Sequence, residues 1–138
     1  MRQLHTIVGV LVVVIFLLTG QYLEYYYPEM DEGGVGEGTR MMLRSRHIYV
    51  LLVGLLNVSL GAYFVLREAG WRRYLQLTGS ALLLMAAALS VVAFFYEPTL
   101  DGLQRTLTLP AVVCAFTGTF LHMLSAARTP EKKLEKKA

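Results

Sequence analysis

Four apolar stretches constrain this chain more than any other feature of its sequence. They are residues 4–26, 47–66, 74–96 and 107–127. A hydrocarbon core about 30 Å thick needs about 20 mostly apolar residues in a helix. Because backbone groups must form hydrogen bonds within the segment in lipid, each stretch is expected to be helical even where valine and isoleucine are frequent. The sequence therefore predicts an all-α integral membrane protein with four transmembrane helices.

The connections between these stretches predict how the helices are arranged. Residues 28–44 contain one proline and four glycines, a composition typical of a loop, and residues 67–73 and 97–106 are shorter. Short connections favour antiparallel neighbours, so we expect an up-down-up-down bundle. Charged residues make up 17% of the chain, below the roughly 25% of soluble domains. Residues 1–138 are thus expected to form a single membrane domain, with a charged tail at 128–138.

The distribution of basic residues predicts the orientation of this bundle. One side receives nine of them: Arg2, Arg67, Arg72, Arg73, Arg128, Lys132, Lys133, Lys136 and Lys137. The other side receives four basic residues and six acids: Arg40, Arg44, Arg46, Arg105, Glu29, Asp31, Glu32, Glu37, Glu97 and Asp101. Cytoplasmic loops carry the excess of lysine and arginine, so both termini are expected in the cytoplasm, as in a multi-pass protein of a bacterial inner membrane. The first apolar stretch is expected to remain as a spanning helix rather than act as a cleaved signal.

Three histidines near the ends of the predicted helices carry the functional prediction. His5 begins the first helix and His122 lies near the end of the fourth, on the same side, whereas His47 begins the second helix on the opposite side. Helices 1 and 4 are neighbours in an up-down bundle, so His5 and His122 are expected to face each other at similar depth. Because imidazole is a common axial ligand of haem iron, this pair predicts a b-type haem site.

Small and basic residues around the two histidines extend this prediction. Gly9 and Gly118 each lie four residues from a histidine, one turn toward the membrane centre and on roughly the same face. They are expected to leave a gap for a flat porphyrin. Arg2 and Arg128 lie on the same side of the membrane and are expected to pair with the haem propionates.

The same pattern has interpretations that need no cofactor. Small residues at helical spacing are typical of any contact between membrane helices, and histidines occur near membrane surfaces without binding a ligand. For His47 the sequence leaves three alternatives: ligation of a second haem with a non-histidine partner, binding of a quinone head group, or a residue at the membrane surface. Asn57, an amide deep within a span, is expected to form a hydrogen bond between helices.

These features favour a small membrane haem protein that takes part in electron transfer, with quinol or quinone as a candidate partner. The alternative is a non-catalytic accessory or assembly subunit, bound to a membrane-protein partner or to copies of itself. A transporter is less well supported, because no span carries an acid or base at mid-membrane. The chain has no glycine-rich phosphate loop and no HExxH motif, so enzyme activity is left open. The basic tail is short and has no aromatic residues, which argues against nucleic-acid binding.

Overall fold

The computed structural model of the protein describes residues 1–32, 37–66, 70–97 and 105–126, and in these ranges it describes the side chains except those of 26–32 and 37. The described residues form four helices, namely α1 (Arg2–Glu32), α2 (Glu37–Tyr63), α3 (Trp71–Tyr96) and α4 (Thr108–Ala126). Each of them contains a segment long and apolar enough to cross a membrane: Arg2–Tyr25, Gly38–Tyr63, Trp71–Tyr96 and Thr108–Ala126. The predicted all-helical chain with four such helices is confirmed.

Helices α1 and α2 run antiparallel and approach each other at glycines. A Cβ atom added at Gly9 would lie 2.5 Å from the backbone nitrogen of Val58, and one added at Gly54 would lie 3.1 Å from Cγ1 of Val12. A contact as short as the first is possible only where the side chain is a hydrogen atom. Gly9 therefore sets the distance between the two backbones, as small residues do between membrane helices.

Helices α3 and α4 cross at a second pair of glycines. A Cβ atom added at Gly118 would lie 2.8 Å from the carbonyl oxygen of Gly79, and one added at Gly79 would lie 2.9 Å from the carbonyl oxygen of Gly118. The two helix pairs meet mainly through α2 and α3, whereas α1 and α4 make hardly any direct backbone contact. Contact between α1 and α4 is therefore made by side chains, among them those of His5 and His122.

Apolar side chains fill the interior and also cover the outside. The interior includes Val50 and Leu83, which are 0% and 1% exposed. On the outer face of α1, Ile7, Leu17 and Leu18 are 65%, 59% and 64% exposed. Extended apolar surface of this kind is typical of contact with lipid or a partner rather than water. The fold is therefore compatible with a multi-pass membrane protein.

Helix α4 begins at a carboxylate that follows the last residue of α3. Oε1 of Glu97 accepts hydrogen bonds from the backbone N–H groups of Leu107, at 2.6 Å, and Thr108, at 2.9 Å. Oε2 accepts bonds from the Thr108 hydroxyl and from Nε of Arg46, the latter at 2.8 Å. Burial alone would raise the pKa of Glu97, but these hydrogen bonds and the Arg46 charge outweigh it and hold the pKa below its ordinary value. The anion also lies where the α4 dipole favours negative charge.

The sequence assigns Arg46 and Glu97 to the outer side but does not pair them. In the structure they form a salt bridge, and their side chains are 3% and 0% exposed. The reason is that α2 begins at Glu37, well before its apolar stretch, so that Arg46 lies within a helix that packs against α3. The pair thus ties α2, α3 and the start of α4 together.

Candidate functional site

The side chain of His5 is fully buried and held by Asn57. Its Nδ1 lies 2.7 Å from Oδ1 of Asn57, and both residues are 0% exposed. The Asn57 amide group donates to the carbonyl oxygens of Val53, at 2.8 Å, and Leu83, at 3.4 Å. Because these acceptors fix the orientation of the amide, its oxygen must accept from His5. His5 therefore carries a proton on Nδ1, and in its neutral form the lone pair is on Nε2.

The Nε2 atom of His5 is enclosed and has no hydrogen-bond partner among the described residues. Close by is the ring of His122, whose centroid lies 6.5 Å away with the two ring planes nearly perpendicular. Phe64 packs against both rings, at 5.6 Å from that of His122 and 6.0 Å from that of His5. The structure therefore brings together the two histidines that the sequence pairs, although the backbones of their helices hardly touch.

His122 is held from α3. Its Nε2 lies 3.2 Å from the hydroxyl oxygen of Ser80, which is itself fully buried. Gly79 leaves the space that the ring occupies, since a Cβ atom there would lie 2.9 Å from Cδ2 of His122. A cavity of about 590 Å³ adjoins the ring. It is lined by Leu60, Tyr63, Phe64, Val65, Gln76, Thr119, His122, Met123, Ser125 and Ala126.

Gly9 and Gly118 lie at contacts between helices rather than beside an open slot. The space next to Gly9 is taken by the backbone of α2, and the space next to Gly118 by the backbone of α3 and by Leu83. In the sequence, a small residue suits either a gap for a flat cofactor or a close contact between helices. Here the neighbouring helix fills the gap that a flat cofactor would need.

The two predicted propionate partners are Arg2 and Arg128. Nε of Arg2 donates to the carbonyl oxygen of Gly61 at 3.0 Å, which anchors the guanidinium at the His5 end of the bundle. Arg128 lies outside the described residues, so its pairing stays a prediction.

His47 lies in a separate environment. Its Nδ1 is 3.2 Å from the hydroxyl oxygen of Thr19, and its ring stacks on that of Phe16 with centroids 4.1 Å apart and planes 18° apart. Thr19 follows His5 by 14 residues, which corresponds to about 21 Å along a helix. In the part of the chain that the structure describes, no three His, Cys, Asp or Glu residues are grouped as a metal site, here or near His5.

The chain matches no family model, no curated protein and no solved structure.

Sequence reasoning missed several residues that contact the histidines, among them Phe64, Thr19 and Ser80. It identified Asn57 as a source of hydrogen bonds between helices, but not His5 as the partner. Neither a hydroxyl nor a phenyl group in an apolar span indicates which helix it faces. Asn57 had the stronger signal, because an amide deep in a membrane helix needs a polar partner.

Proposed function

We propose that the protein is a small b-type haem protein of an electron-transfer membrane, with His5 and His122 as the axial ligands. One observation carries this proposal: the lone pair on Nε2 of His5 is enclosed, has no partner among the described residues, and lies beside a second imidazole. A buried polar atom without a partner is costly. Because imidazole nitrogen is a common ligand of haem iron, a metal bond at this atom would remove that cost.

The spacing of the two rings suits a shared metal ion. Their centroids are 6.5 Å apart. With metal–imidazole bonds of about 2 Å, rings on opposite sides of one ion would lie roughly 6 Å apart from centre to centre. Asn57 already binds the other ring nitrogen of His5, which is the kind of outer contact that orients metal-binding histidines. On His122, a bond to iron at Nε2 would replace the 3.2 Å contact with Ser80.

The cavity beside His122 offers space next to one of the two proposed ligands, and His5 does not line it. Its volume of about 590 Å³ falls within the roughly 300–1,000 Å³ of small-molecule sites. Several apolar side chains line it, including Leu60 and Phe64, and these would keep water from the iron. The charge of Arg2, at the same end of the bundle, would pair with a carboxylate of the bound group.

A bound haem would supply one-electron redox chemistry. The chain itself would hold the iron through His5 and His122, fix the His5 ring through Asn57, and limit access by packing Phe64 against both ligands. These roles fit a protein that passes electrons between a membrane carrier, such as quinol, and a partner.

The proposed setting is an up-down-up-down bundle in a bacterial inner membrane with both termini in the cytoplasm. The nine-to-four excess of basic residues supports this orientation. A reporter fused after Ala138 should be active only as a cytoplasmic marker, and a tag inserted near Gly34 should be reachable from outside intact cells. A Gly34 tag that is protected in intact cells would overturn the orientation.

The haem assignment is tested by purifying the full chain from haem-replete cells and recording oxidised and reduced absorption spectra with the iron-to-protein ratio. Wild type should show a Soret band that shifts on reduction. His5→Ala and His122→Ala should each lose haem or leave it five-coordinate. His47→Ala is the matched control and should keep both haem content and spectrum.

Two other outcomes would favour different conclusions. A folded but colourless wild-type protein would leave the accessory or assembly subunit as the better proposal. Loss of haem in the His47 variant alone would move the site to the opposite end of the bundle.

A further inference from the structure

We propose that His47 binds the hydroxyl group of a lipid-soluble quinol and accepts its hydrogen bond at Nε2. This inference names the carrier and its site for the proposed electron-transfer function. It does not depend on haem, because His47 lies at the opposite end of the bundle from His5 and the binding can be measured with or without a cofactor.

The first step concerns the proton on the His47 ring. The Thr19 hydroxyl donates to the carbonyl oxygens of Ile15, at 2.8 Å, and Phe16, at 3.0 Å. Carbonyl oxygens only accept, so these contacts take the single hydroxyl proton of Thr19. Its oxygen must then accept from Nδ1 of His47, at 3.2 Å. The neutral ring consequently carries its proton on Nδ1 and its lone pair on Nε2.

The second step concerns access to that lone pair. Nε2 of His47 has no hydrogen-bond partner among the described residues, and His47 is only partly buried, whereas His5 is fully buried. Gly20 lies beside it without covering it, since a Cβ atom there would lie 3.4 Å from both Nε2 and Cε1. The stack on Phe16 and the bond to Thr19 hold the ring in place. The result is a fixed acceptor on a partly buried ring, within a segment that is long and apolar enough to cross a membrane.

The third step identifies the ligand by its chemistry. Lipid tails provide no hydrogen-bond donor, so an acceptor that faces lipid is satisfied by a donor that itself enters the membrane. A quinol carries hydroxyl donors on a lipid-soluble molecule, whereas the oxidised quinone carries carbonyl acceptors alone. The tautomer set by Thr19 therefore selects the reduced carrier over the oxidised one.

The test uses the full chain in lipid nanodiscs, with a short-chain alkyl benzoquinol kept reduced without oxygen and with the corresponding benzoquinone. Calorimetric titration should show tighter binding of the quinol. His47→Phe keeps a ring on Phe16 but removes the acceptor, and should weaken quinol binding about tenfold, the factor for a hydrogen bond of about 1.4 kcal/mol. Gly20→Leu should have a similar effect by covering Nε2. Ser59→Ala, an exposed position 12 residues further along α2, is the control and should leave the affinity unchanged.

A third variant tests the tautomer itself. Thr19→Val removes the acceptor at Nδ1, so the ring can place its proton on Nε2 and donate to a quinone carbonyl. The preference for quinol over quinone should then shrink or reverse.

Equal affinities of wild type for both forms, or quinol binding that is indifferent to both the His47 and Gly20 variants, would overturn the inference and leave water as the partner of Nε2. The absorption spectrum of the same samples reports haem separately. Failure of quinol binding with haem present therefore contradicts this inference alone, and absence of haem with quinol binding intact contradicts only the haem proposal.

Discussion

Replacing Glu97 with alanine is expected to destabilise the protein far more than the loss of an exposed acid. The substitution removes the acceptor for two backbone N–H groups at the start of α4 and the carboxylate partner of Arg46. The Arg46 and Glu97 side chains are 3% and 0% exposed, so water does not readily replace these contacts.

The expected size follows from the two roles of this carboxylate. Removing one partner of a buried ion pair costs about 3–5 kcal/mol, because a charge is left in the interior. Loss of a helix N-terminal cap costs about 1 kcal/mol. Since one carboxylate serves both roles the costs overlap, and we expect the free energy of unfolding to fall by about 4 kcal/mol.

The measurement is equilibrium unfolding of the full chain in mixed micelles, followed by circular dichroism. Glu24→Ala removes an exposed acid of α1 and is the matched control, expected to change stability by less than about 0.5 kcal/mol. If the Glu97 and Glu24 variants lose the same stability, the cluster is solvated and the reasoning is refuted.

The pH dependence of stability gives a second readout of the same contact. The pKa of Glu97 is held below its ordinary value in the folded protein. Its carboxylate therefore contributes stability that is complete above the ordinary pKa and is lost as pH falls through the lower, folded-state pKa. Wild type should lose this contribution in the acid range, and the Glu97→Ala variant should lack that part of the loss.

Two further predictions concern the packing of the helices. Gly118→Ala places a Cβ atom 2.8 Å from the backbone oxygen of Gly79 and should lower the free energy of unfolding by about 1–3 kcal/mol in the same assay. The control, Thr117→Ala on the exposed face of α4, should be nearly neutral. Asn57→Leu removes the hydrogen bond that orients His5 and should lower haem retention at unchanged helix content. Ser59→Ala, at an exposed position, is the control, and equal haem retention in the two variants would contradict the role of Asn57.

The sequence alone determined the class of fold. Four stretches of about 20 apolar residues leave the backbone no alternative to helix in lipid, and this holds whatever the helices pack against. The sequence also paired His5 with His122, because alternating helix directions place both near the same end of the bundle. Lysine and arginine, in turn, suggested which end faces the cytoplasm.

The tertiary structure decided which face each residue presents, and hence which role it has. Gly9 and Gly118 have the same spacing from a histidine whether they border a cofactor or a helix, and only the packing places a neighbouring backbone against each. The sequence likewise shows only that Asn57 is an amide within a span, and the rotation of α2 in the structure is what places it against Nδ1 of His5.

The charged pair Arg46 and Glu97 is the clearest example of a contact that only the tertiary structure decides. The sequence assigns both residues to the outer side and does not indicate that they are buried or paired. Their burial depends on α2 extending beyond its apolar stretch and on Glu97 reaching the first N–H groups of α4. Contacts between residues about 50 positions apart depend on how the helices are rotated and shifted relative to each other. Hydropathy along the chain predicts neither the rotation nor the shift.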